Sequence, residues 1–278
     1  MVFVENDVAY LSVDEKGSEI CSFKDKETNL ERMWNGDPKF WAGRNPTLFP
    51  MVSNTYNKVQ VFDGKEYHMG NHGIVRSAMF KCTYHDDKSI TMTFESSEES
   101  KQLYPFDFRM DITYTLTGKR VDIVYNITNL SDKVMPFGFG LHPAFNCPIA
   151  DGEKFEDYYI EFANEETLEC INGPFKLNNE KIIHCDYKTI MENKTILFEY
   201  PKSAFVTLTN GKHGVKVGVV GYRWLAFWTK MDAPYICIEP WHSHGDFTKV
   251  DVPFEQREGT ILLDPDHSYT TSYYIELV

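Results

Sequence analysis

The chain has 278 residues, of which 42% are hydrophobic and 25% charged, and its 41 acidic and 28 basic residues give a net charge of −13. This composition is typical of globular proteins and excludes a disordered or fibrous class. The acidic balance, without a run of Lys and Arg, disfavours nucleic acids and anionic membranes as partners. Because the chain shows neither signal-peptide features nor about eighteen consecutive apolar residues, we expect a cytoplasmic protein.

Short segments in which apolar and polar residues alternate dominate the chain. Their period of two and their content of Thr, Val, Ile, Tyr and Phe predict strands with one buried face. A glycine in the turn TGKR, between two such segments, predicts a hairpin. In chain order the segments are SITMTFESS, FRMDITYTLTG, RVDIVYNITNL, DYYIEFAN, TILFEY, AFVTLTN, GVKVGVVG, LAFWTKM, YICIEPW and SYTTSYYIEL.

Helical periodicity is almost absent from the chain. One short helical turn is expected in GDPKFWAGRN, where Asp37 precedes Pro38 as an N-cap precedes proline at the first helical position. Many short strands without amphipathic helices favour an antiparallel sandwich or barrel over a parallel α/β sheet. We found no internal repeat and no linker-like segment. We therefore expect an all-β fold, a large antiparallel β-sandwich, with residues 1–278 in a single domain.

Four stretches each place a charged or titratable residue beside Gly or Pro and among apolar residues. They are WAGRNPTLFP, YHMGNHGIVRSAMF, MPFGFGLHPAFNCPI and YICIEPWHSHGDF. This composition is more typical of a lined cleft than of a solvated loop. The candidate residues that they contain are Arg44, His72, Arg76, His142 and Glu239.

Each candidate has a functional and a structural interpretation. Glu239 follows an apolar run. It could therefore be a general base at a strand end, or it could form a buried salt bridge. His142 could transfer protons, or its imidazole could have a structural role, donating to a backbone carbonyl and filling space. His72 precedes a glycine, which indicates a close backbone approach, and a ligand is one reason for it. Arg44 and Arg76 suit the binding of hydroxyls, carboxylates or phosphates, or pairing with the many acidic residues.

The stretch HSHGD has the spacing of metal ligands. His242 and His244 would share one face of a strand, and His142 could act as a third ligand. No further ligand is indicated by the sequence, so a polar rim of the cleft is the preferred interpretation and no metal is expected. The six cysteines stand singly, without a Cys-x-x-Cys pair, and are expected to be buried free thiols.

Several of these stretches together resemble the aldose 1-epimerase, or galactose mutarotase-like, superfamily, and within it the LacX-like subgroup. They are WNGDPKFWAGRNPTLFP, HGIVRS, FGFGLHPAFNCP and LAFWTKMDAPYICIEPW, followed by Gly245 and Asp246, and they occur between residues 34 and 246 in the order of that family. The resemblance implies a large antiparallel β-sandwich with a sugar-binding cleft. It also implies a cofactor-independent isomerase that interconverts the α and β anomers of a hexose or hexose phosphate.

The resemblance also implies a role for each candidate residue. His142, in HPAF, would protonate the ring oxygen, and Glu239, in EPW, would take the proton of the anomeric hydroxyl. His72 would hydrogen-bond the sugar near its ring oxygen, with Arg44 and Arg76 as further substrate-binding residues. Ring opening, rotation about C1–C2 and closure from the other face require one acid and one base, and no metal, nucleotide or covalent nucleophile.

The sequence leaves several alternatives open for the substrate, the function and the oligomeric state. An additional substrate-binding aspartate of galactose mutarotases is not placed in this sequence. HGIVRS is reminiscent of hexose-6-phosphate mutarotases, in which an arginine near this position holds phosphate. The competing function is a non-catalytic sugar-binding or sensing protein with the same cleft. Glycoside cleavage is less favoured, because it normally needs two carboxylates about 5–9.5 Å apart. The oligomeric state stays open, with a homodimer as one option.

The five tryptophans are expected to lie mostly in the core. Sugars present apolar faces that stack on aromatic rings, so one or two of these side chains are expected to serve as a platform in the cleft. They are Trp34, Trp41, Trp224, Trp228 and Trp241.

Overall fold

The computed structural model describes residues 1–278. Its strands are β1 (Val2–Glu5), β2 (Ala9–Val13), β3 (Ile20–Asp25), β4 (Thr47–Leu48), β5 (Gln60–Phe62), β6 (Lys65–Tyr67), β7 (Lys81–His85), β8 (Ser89–Glu95), β9 (Phe108–Thr117), β10 (Arg120–Asn129), β11 (Met135–Phe137), β12 (Gly140–Leu141), β13 (Ala144–Asn146), β14 (Tyr159–Glu169), β15 (Lys176–His184), β16 (Ile196–Glu199), β17 (Phe205–Thr209), β18 (Gly214–Gly218), β19 (Trp224–Trp228), β20 (Tyr235–Trp241), β21 (Ile261–Leu263) and β22 (Ser268–Leu277). The α-helices are α1 (Glu98–Lys101) and α2 (Tyr187–Glu192), and 3₁₀ turns occupy Val75–Ser77, Phe155–Asp157 and Phe254–Gln256.

Two large antiparallel sheets form the body of the molecule. The first has nine strands in the order β15-β14-β17-β18-β22-β10-β9-β8-β7, and the second has the order β16-β19-β20-β12-β4, with β13 also paired to β20. The sheets pack through aromatic side chains: the ring of Phe162 on β14 lies 6.4 Å from that of Phe198 on β16 and 5.9 Å from that of Phe227 on β19. The expected all-β fold, a large antiparallel β-sandwich, is confirmed.

The segments with a period of two all form strands. They correspond to β8, β9, β10, β14, β16 to β20 and β22. The predicted hairpin joins β9 to β10, with Thr117 paired to Arg120 and Gly118 at φ +57°. A positive φ costs little energy only for glycine, which explains why a glycine stands at this position of the turn.

Helical structure is limited to short pieces. At the predicted turn, the Trp41 N–H donates to the Asp37 carbonyl at 2.9 Å, and the chain then leaves the helical conformation. The helices α1 and α2 were not predicted, because four and six residues are too few to show a helical period. No helix of the structure is long and apolar enough to cross a membrane.

Strand β20 uses its two faces differently. Ile236 and Ile238 point into the main core between the sheets, whereas Tyr235 and Cys237 belong to a separate cluster on the other face. Glu239 follows at the same period of two and therefore shares that second face. All seven residues of β20 are buried, so its first four residues appear in the sequence as a continuous apolar run, which Glu239 follows.

A close backbone contact fixes the loop that follows β6. The N–H of Ile74 donates to the carbonyl of Phe49 at 2.9 Å, and Gly73 forms a bridge with Phe49. Gly73 has φ +72°, and a Cβ added there would lie 2.2 Å from the Phe49 carbonyl oxygen. Only glycine therefore allows this loop, which carries His72 and Arg76, to lie against the Phe49–Pro50 segment.

Replacing Gly73 by alanine tests this contact. We expect Gly73→Ala to lower the free energy of unfolding by about 3 kcal/mol or more. The cost of a positive φ for alanine and the cost of overpacking against the Phe49 backbone both contribute to this loss. The matched control is Gly64→Ala, because Gly64 also has positive φ, +75°, but nothing lies within 4 Å of an added Cβ. Only the backbone strain, about 1–2 kcal/mol, applies there. Equal losses in urea unfolding would contradict the steric explanation.

Candidate active site

His142 and Glu239 face each other across two antiparallel segments. Ala144 pairs with Cys237, so the residue two positions before Ala144 stands opposite the residue two positions after Cys237. His142 and Glu239 are those residues, and the His142 Nε2 lies 3.3 Å from the Glu239 Oε2. Both side chains are buried, with exposed fractions of 8% and 2%. Register therefore brings together two titratable groups that are distant in sequence.

The glycines before His142 allow neighbouring segments to approach β12. A Cβ on Gly140 would lie 2.7 Å from both the Trp241 ring and the Val52 side chain, and one on Gly138 would lie 2.4 Å from the Ser243 Oγ. A side chain at either position would force Ser243, or Trp241 and Val52, to move. The sequence FGFG is thus explained by close packing on both sides of the strand that leads to His142.

Burial pushes the His142 and Glu239 side chains toward their neutral forms. The pKa of Glu239 is raised well above its usual range by burial, which a hydrogen bond from Trp241 offsets only in part. The pKa of His142 is lowered by burial and, in addition, by His72 and the positive charge of Arg76. Burial therefore favours the neutral imidazole beside the neutral carboxyl group, and the pair has one exchangeable proton beyond the imidazole N–H.

Aromatic rings surround the imidazole of His142. The Trp41 ring stacks on it at 4.7 Å between centroids and 30° between planes, and the rings of Trp228 and His72 meet it edge-on at 5.6 Å and 5.5 Å. The His142 Nδ1 has no hydrogen-bond partner in the chain. Its orientation therefore depends on packing against these rings and on the contact with Glu239.

His72 is fixed by the backbone of Ser53. The His72 N–H donates to the Ser53 carbonyl at 2.8 Å, and the Ser53 N–H donates to the His72 Nδ1 at 3.0 Å. Since Nδ1 accepts, the proton of the neutral ring is on Nε2. Burial and the charge of Arg76 lower the pKa of His72 to about 3. His72 is therefore a neutral N–H donor at physiological pH.

A cavity of about 380 Å³ opens beside the His142–Glu239 pair. This volume is within the usual range of small-molecule sites, about 300–1,000 Å³. Four of the five sequence candidates line it, and Glu239 is the only carboxylate among the lining side chains. The lining residues are Trp41, Ser53, Asn71, His72, Arg76, His142, Thr195, Trp228, Lys230, Glu239 and Trp241.

Two cationic side chains, Arg76 and Lys230, reach the cavity. The Lys230 Nζ donates to the Phe40 carbonyl at 2.5 Å. The Arg76 guanidinium makes no hydrogen bond or ion pair within the chain, although its charge is felt by His72, His142 and Glu19. The two cations therefore make the cavity of this acidic protein locally positive.

The structure does not bring Arg44 to the cavity with the other candidates. Its Nε donates to the Asn35 carbonyl at 3.0 Å, and its backbone N–H donates to the Glu19 carboxylate. Glu19 also accepts from the N–H of Asn45 at 2.8 Å, so this loop is fixed by one carboxylate. A substrate-binding role for Arg44 remains a prediction without support from the cavity lining.

The histidines of HSHGD also lie away from the cavity lining. His242 stacks on Tyr222 at 4.3 Å between centroids and bonds the Thr271 hydroxyl at 2.9 Å, and burial lowers its pKa to about 4. His244 stacks on Phe247 at 5.0 Å. Neither histidine is part of the cavity lining, so their expected place on a polar rim of this cleft stays a prediction without support from that lining.

Sequence reasoning missed several lining residues. Three tryptophans line the cavity, where one or two were expected: Trp41, Trp228 and Trp241. Trp34 and Trp224 lie in buried clusters instead. The polar residues that were missed lie in loops or next to strand ends, where no periodicity marks their direction. They are Ser53, Asn71, Thr195 and Lys230.

Comparisons with known proteins identify the family. A family model described as Aldose 1-epimerase matches residues 4–276. The chain belongs to the aldose 1-epimerase family. The plasmid-encoded Protein LacX of Lactococcus lactis subsp. lactis is 33% identical over 256 residues, which cover 84% of this chain and 85% of that protein. The resemblance stated from the sequence motifs is thus confirmed.

Solved structures have the same fold as this chain. A galactose mutarotase related enzyme from Lactobacillus acidophilus superposes with a TM-score of 0.93 and 27% identity, covering 100% of this chain and 97% of that chain. A galactose mutarotase-like protein from Lactobacillus casei superposes with a TM-score of 0.88 and 24% identity over 100% of both chains.

The protonation of His72 can be measured directly. Because its pKa is lowered to about 3, we expect the imidazole ¹⁵N resonances of His72 to show a constant Nε2–H tautomer between about pH 5 and pH 8. The variant His72→Gln serves to assign these resonances. A midpoint for His72 within this pH range would contradict the geometry in which Ser53 donates to Nδ1.

Proposed function

We propose that the chain is a single-domain, cofactor-independent aldose 1-epimerase that acts in the cytoplasm on a hexose or hexose phosphate. The observation that supports this proposal most strongly is the buried His142–Glu239 pair, 3.3 Å apart at the wall of a cavity. Membership of the aldose 1-epimerase family is the second support. Two carboxylates would be needed for the usual glycoside hydrolysis, and Glu239 is the only one in the lining.

The single proton held by His142 and Glu239 suits the interconversion of anomers. When a sugar enters, its hydroxyl groups donate to the Glu239 carboxylate and favour its ionised form, so the proton moves to His142. His142 then donates this proton to the ring oxygen, and Glu239 accepts the proton of the C1 hydroxyl. The C1–O5 bond breaks, the aldehyde rotates about C1–C2, and the reverse transfers close the ring from either face.

The other lining residues suit binding of the sugar. The Nε2–H of His72 is a fixed donor for a sugar oxygen, and it does not compete for the proton because its pKa is near 3. Trp41, Trp228 and Trp241 offer aromatic faces to the apolar face of a pyranose. They also exclude water from His142, so the proton goes to the sugar rather than to solvent.

The proposal is tested with the variants Glu239→Gln and His142→Asn. Each removes one of the two proton-transfer groups, and we expect kcat/KM for anomer interconversion to fall by about 10²- to 10⁴-fold. The measurement is the relaxation of optical rotation of freshly dissolved α-glucose and α-galactose, followed by a coupled assay with glucose 6-phosphate.

A second His–Glu pair provides matched controls. His213 Nε2 lies 3.0 Å from Glu153 Oε2, and neither residue lines the cavity. Glu153→Gln and His213→Asn should therefore leave the rate unchanged in folded protein. If wild type accelerates no hexose or hexose phosphate but binds them measurably, the sugar-sensing alternative replaces the enzymatic proposal.

Arg76 supports a phosphorylated substrate over a free hexose. A guanidinium without a partner in the chain, with Lys230 at the same cavity, has donors free for an anion. Both cations also offset the repulsion of an anionic substrate by a protein of net charge −13. We therefore favour a hexose phosphate, held by Arg76 through its phosphate group.

The variant Arg76→Gln separates the two substrates. A hydrogen bond to a charged group contributes about 1.5–3 kcal/mol, so kcat/KM for glucose 6-phosphate should fall by about 10- to 100-fold, while that for glucose changes little. Arg44→Gln is the control, because Arg44 lies outside the cavity lining, and it should affect neither substrate. Equal losses for both sugars in Arg76→Gln would contradict the role in phosphate binding.

A further inference from the structure

A thiol that the proposed reaction does not use lies beside the proton-transfer pair. Cys237 precedes Glu239 by two positions on β20, so both side chains lie on the same face of that strand. A ligand nitrogen of His142, the Cys237 Sγ and a Glu239 carboxylate oxygen all lie within 4.8 Å of one another. All three residues are buried. This is the one group of His, Cys, Asp and Glu side chains in the chain that is close enough to hold a metal ion.

The three ligand atoms suit zinc in their chemical type. Zinc binds imidazole nitrogen, thiolate sulfur and carboxylate oxygen at about 2.0–2.3 Å, which places neighbouring ligand atoms of a tetrahedral ion roughly 3.3–3.6 Å apart. The His142–Glu239 distance of 3.3 Å already matches this separation. The Cys237 Sγ lies within 4.8 Å of both other ligand atoms, so a shift of about an ångström would bring it to this separation and complete a three-ligand set.

The charge of the set also suits a dication in a buried place. The Cys237 thiolate and the Glu239 carboxylate together neutralise the two positive charges of the ion, so no net charge is buried. A fourth position would face the cavity, because His142 and Glu239 line it. Three protein ligands and one open position characterise zinc ions that are accessible to solvent or substrate.

We propose that His142, Cys237 and Glu239 form a zinc-binding site, and that zinc bound there inhibits the interconversion of anomers. On binding, bonds form from zinc to the imidazole nitrogen, the thiolate and the carboxylate, and zinc gives up water ligands. The thiol proton and the proton shared by His142 and Glu239 leave to solvent. Zinc then occupies the imidazole nitrogen and the carboxylate oxygen that the proposed transfers use, so neither group can reach the sugar. Binding itself is independent of the proposed function, whereas inhibition rests on it.

Cobalt(II) is the first probe of this site, because a tetrahedral cobalt–thiolate complex gives a near-ultraviolet charge-transfer band and visible d–d bands. We expect both in the wild-type protein at one cobalt per chain, and displacement of cobalt by zinc. The control is Cys82→Ala, because Cys82 is exposed, against the expectation that every thiol is buried, and this variant should keep the bands. Cys237→Ala should lose the charge-transfer band, and Cys237→Ser, which preserves the side-chain size, should do the same if the alanine variant folds poorly.

Zinc affinity and inhibition are then measured in the same four proteins. Loss of an outer-shell partner costs about 10- to 100-fold in metal affinity, so loss of a direct ligand in the Cys237 variants should cost at least that much. Zinc should inhibit wild type and Cys82→Ala reversibly, with activity restored by a chelator, and should inhibit the Cys237 variants at least about tenfold more weakly.

The two proposals fail in different ways. Absence of a charge-transfer band in wild type, or a band that survives in both Cys237 variants, would overturn the zinc site whatever the enzymatic result. A cobalt band that depends on Cys237, together with zinc inhibition of equal strength in all four proteins, would overturn the link between this site and inhibition. A Cys237-dependent band in a protein without epimerase activity would uphold the site and reject the proposed function.

Discussion

The site depends on one cross-strand pair, His142 opposite Glu239. Directly opposed residues on one face of an antiparallel pair have side chains in contact, so the register of β13 against β20 determines the distance between the imidazole and the carboxylate. A slip of one residue would turn one side chain to the other face of the sheet. The hydrogen bonds of this sheet, rather than a flexible loop, therefore hold the acid and the base in position.

Burial of this pair has a chemical consequence. Away from water, neither an isolated imidazolium nor an isolated carboxylate is stable, and each group has the other as its polar neighbour. The surroundings favour neutral forms, with a single proton that can cross a distance of 3.3 Å. The tryptophans that exclude water, the neutral donor His72 and the cation Arg76 supplement this pair without adding a second group that competes for the proton.

The sequence predicted the fold better than it predicted the lining of the cavity. Long half-buried strands such as β9, β10 and β22 show a period of two, because one of their faces meets the core and the other meets solvent. Strands β12 and β13 have two and three residues, too few for a period, and yet they flank His142. His142 became a candidate because a titratable residue stands in an apolar, glycine-rich stretch, and its functional interpretation came from the family resemblance.

The residues that sequence reasoning misplaced or missed share one physical reason. Arg44, like Arg76, stands in a stretch with glycine and apolar residues, but its Nε donates to the Asn35 carbonyl and its backbone N–H donates to Glu19, contacts that only the fold creates. Lys230 and Ser53 enter the cavity from loops without periodicity. Local composition therefore identified the elements that meet at the cavity, and tertiary contacts selected which of their side chains enter it.

The central claim is that the cavity interconverts anomers, and two-dimensional exchange NMR measures this at equilibrium. With catalytic amounts of the wild-type protein, the account predicts exchange cross-peaks between the α and β anomeric protons of glucose 6-phosphate at mixing times where the protein-free sugar shows none. The absence of cross-peaks for glucose 6-phosphate, glucose and galactose, at protein concentrations that bind the sugar, would contradict it.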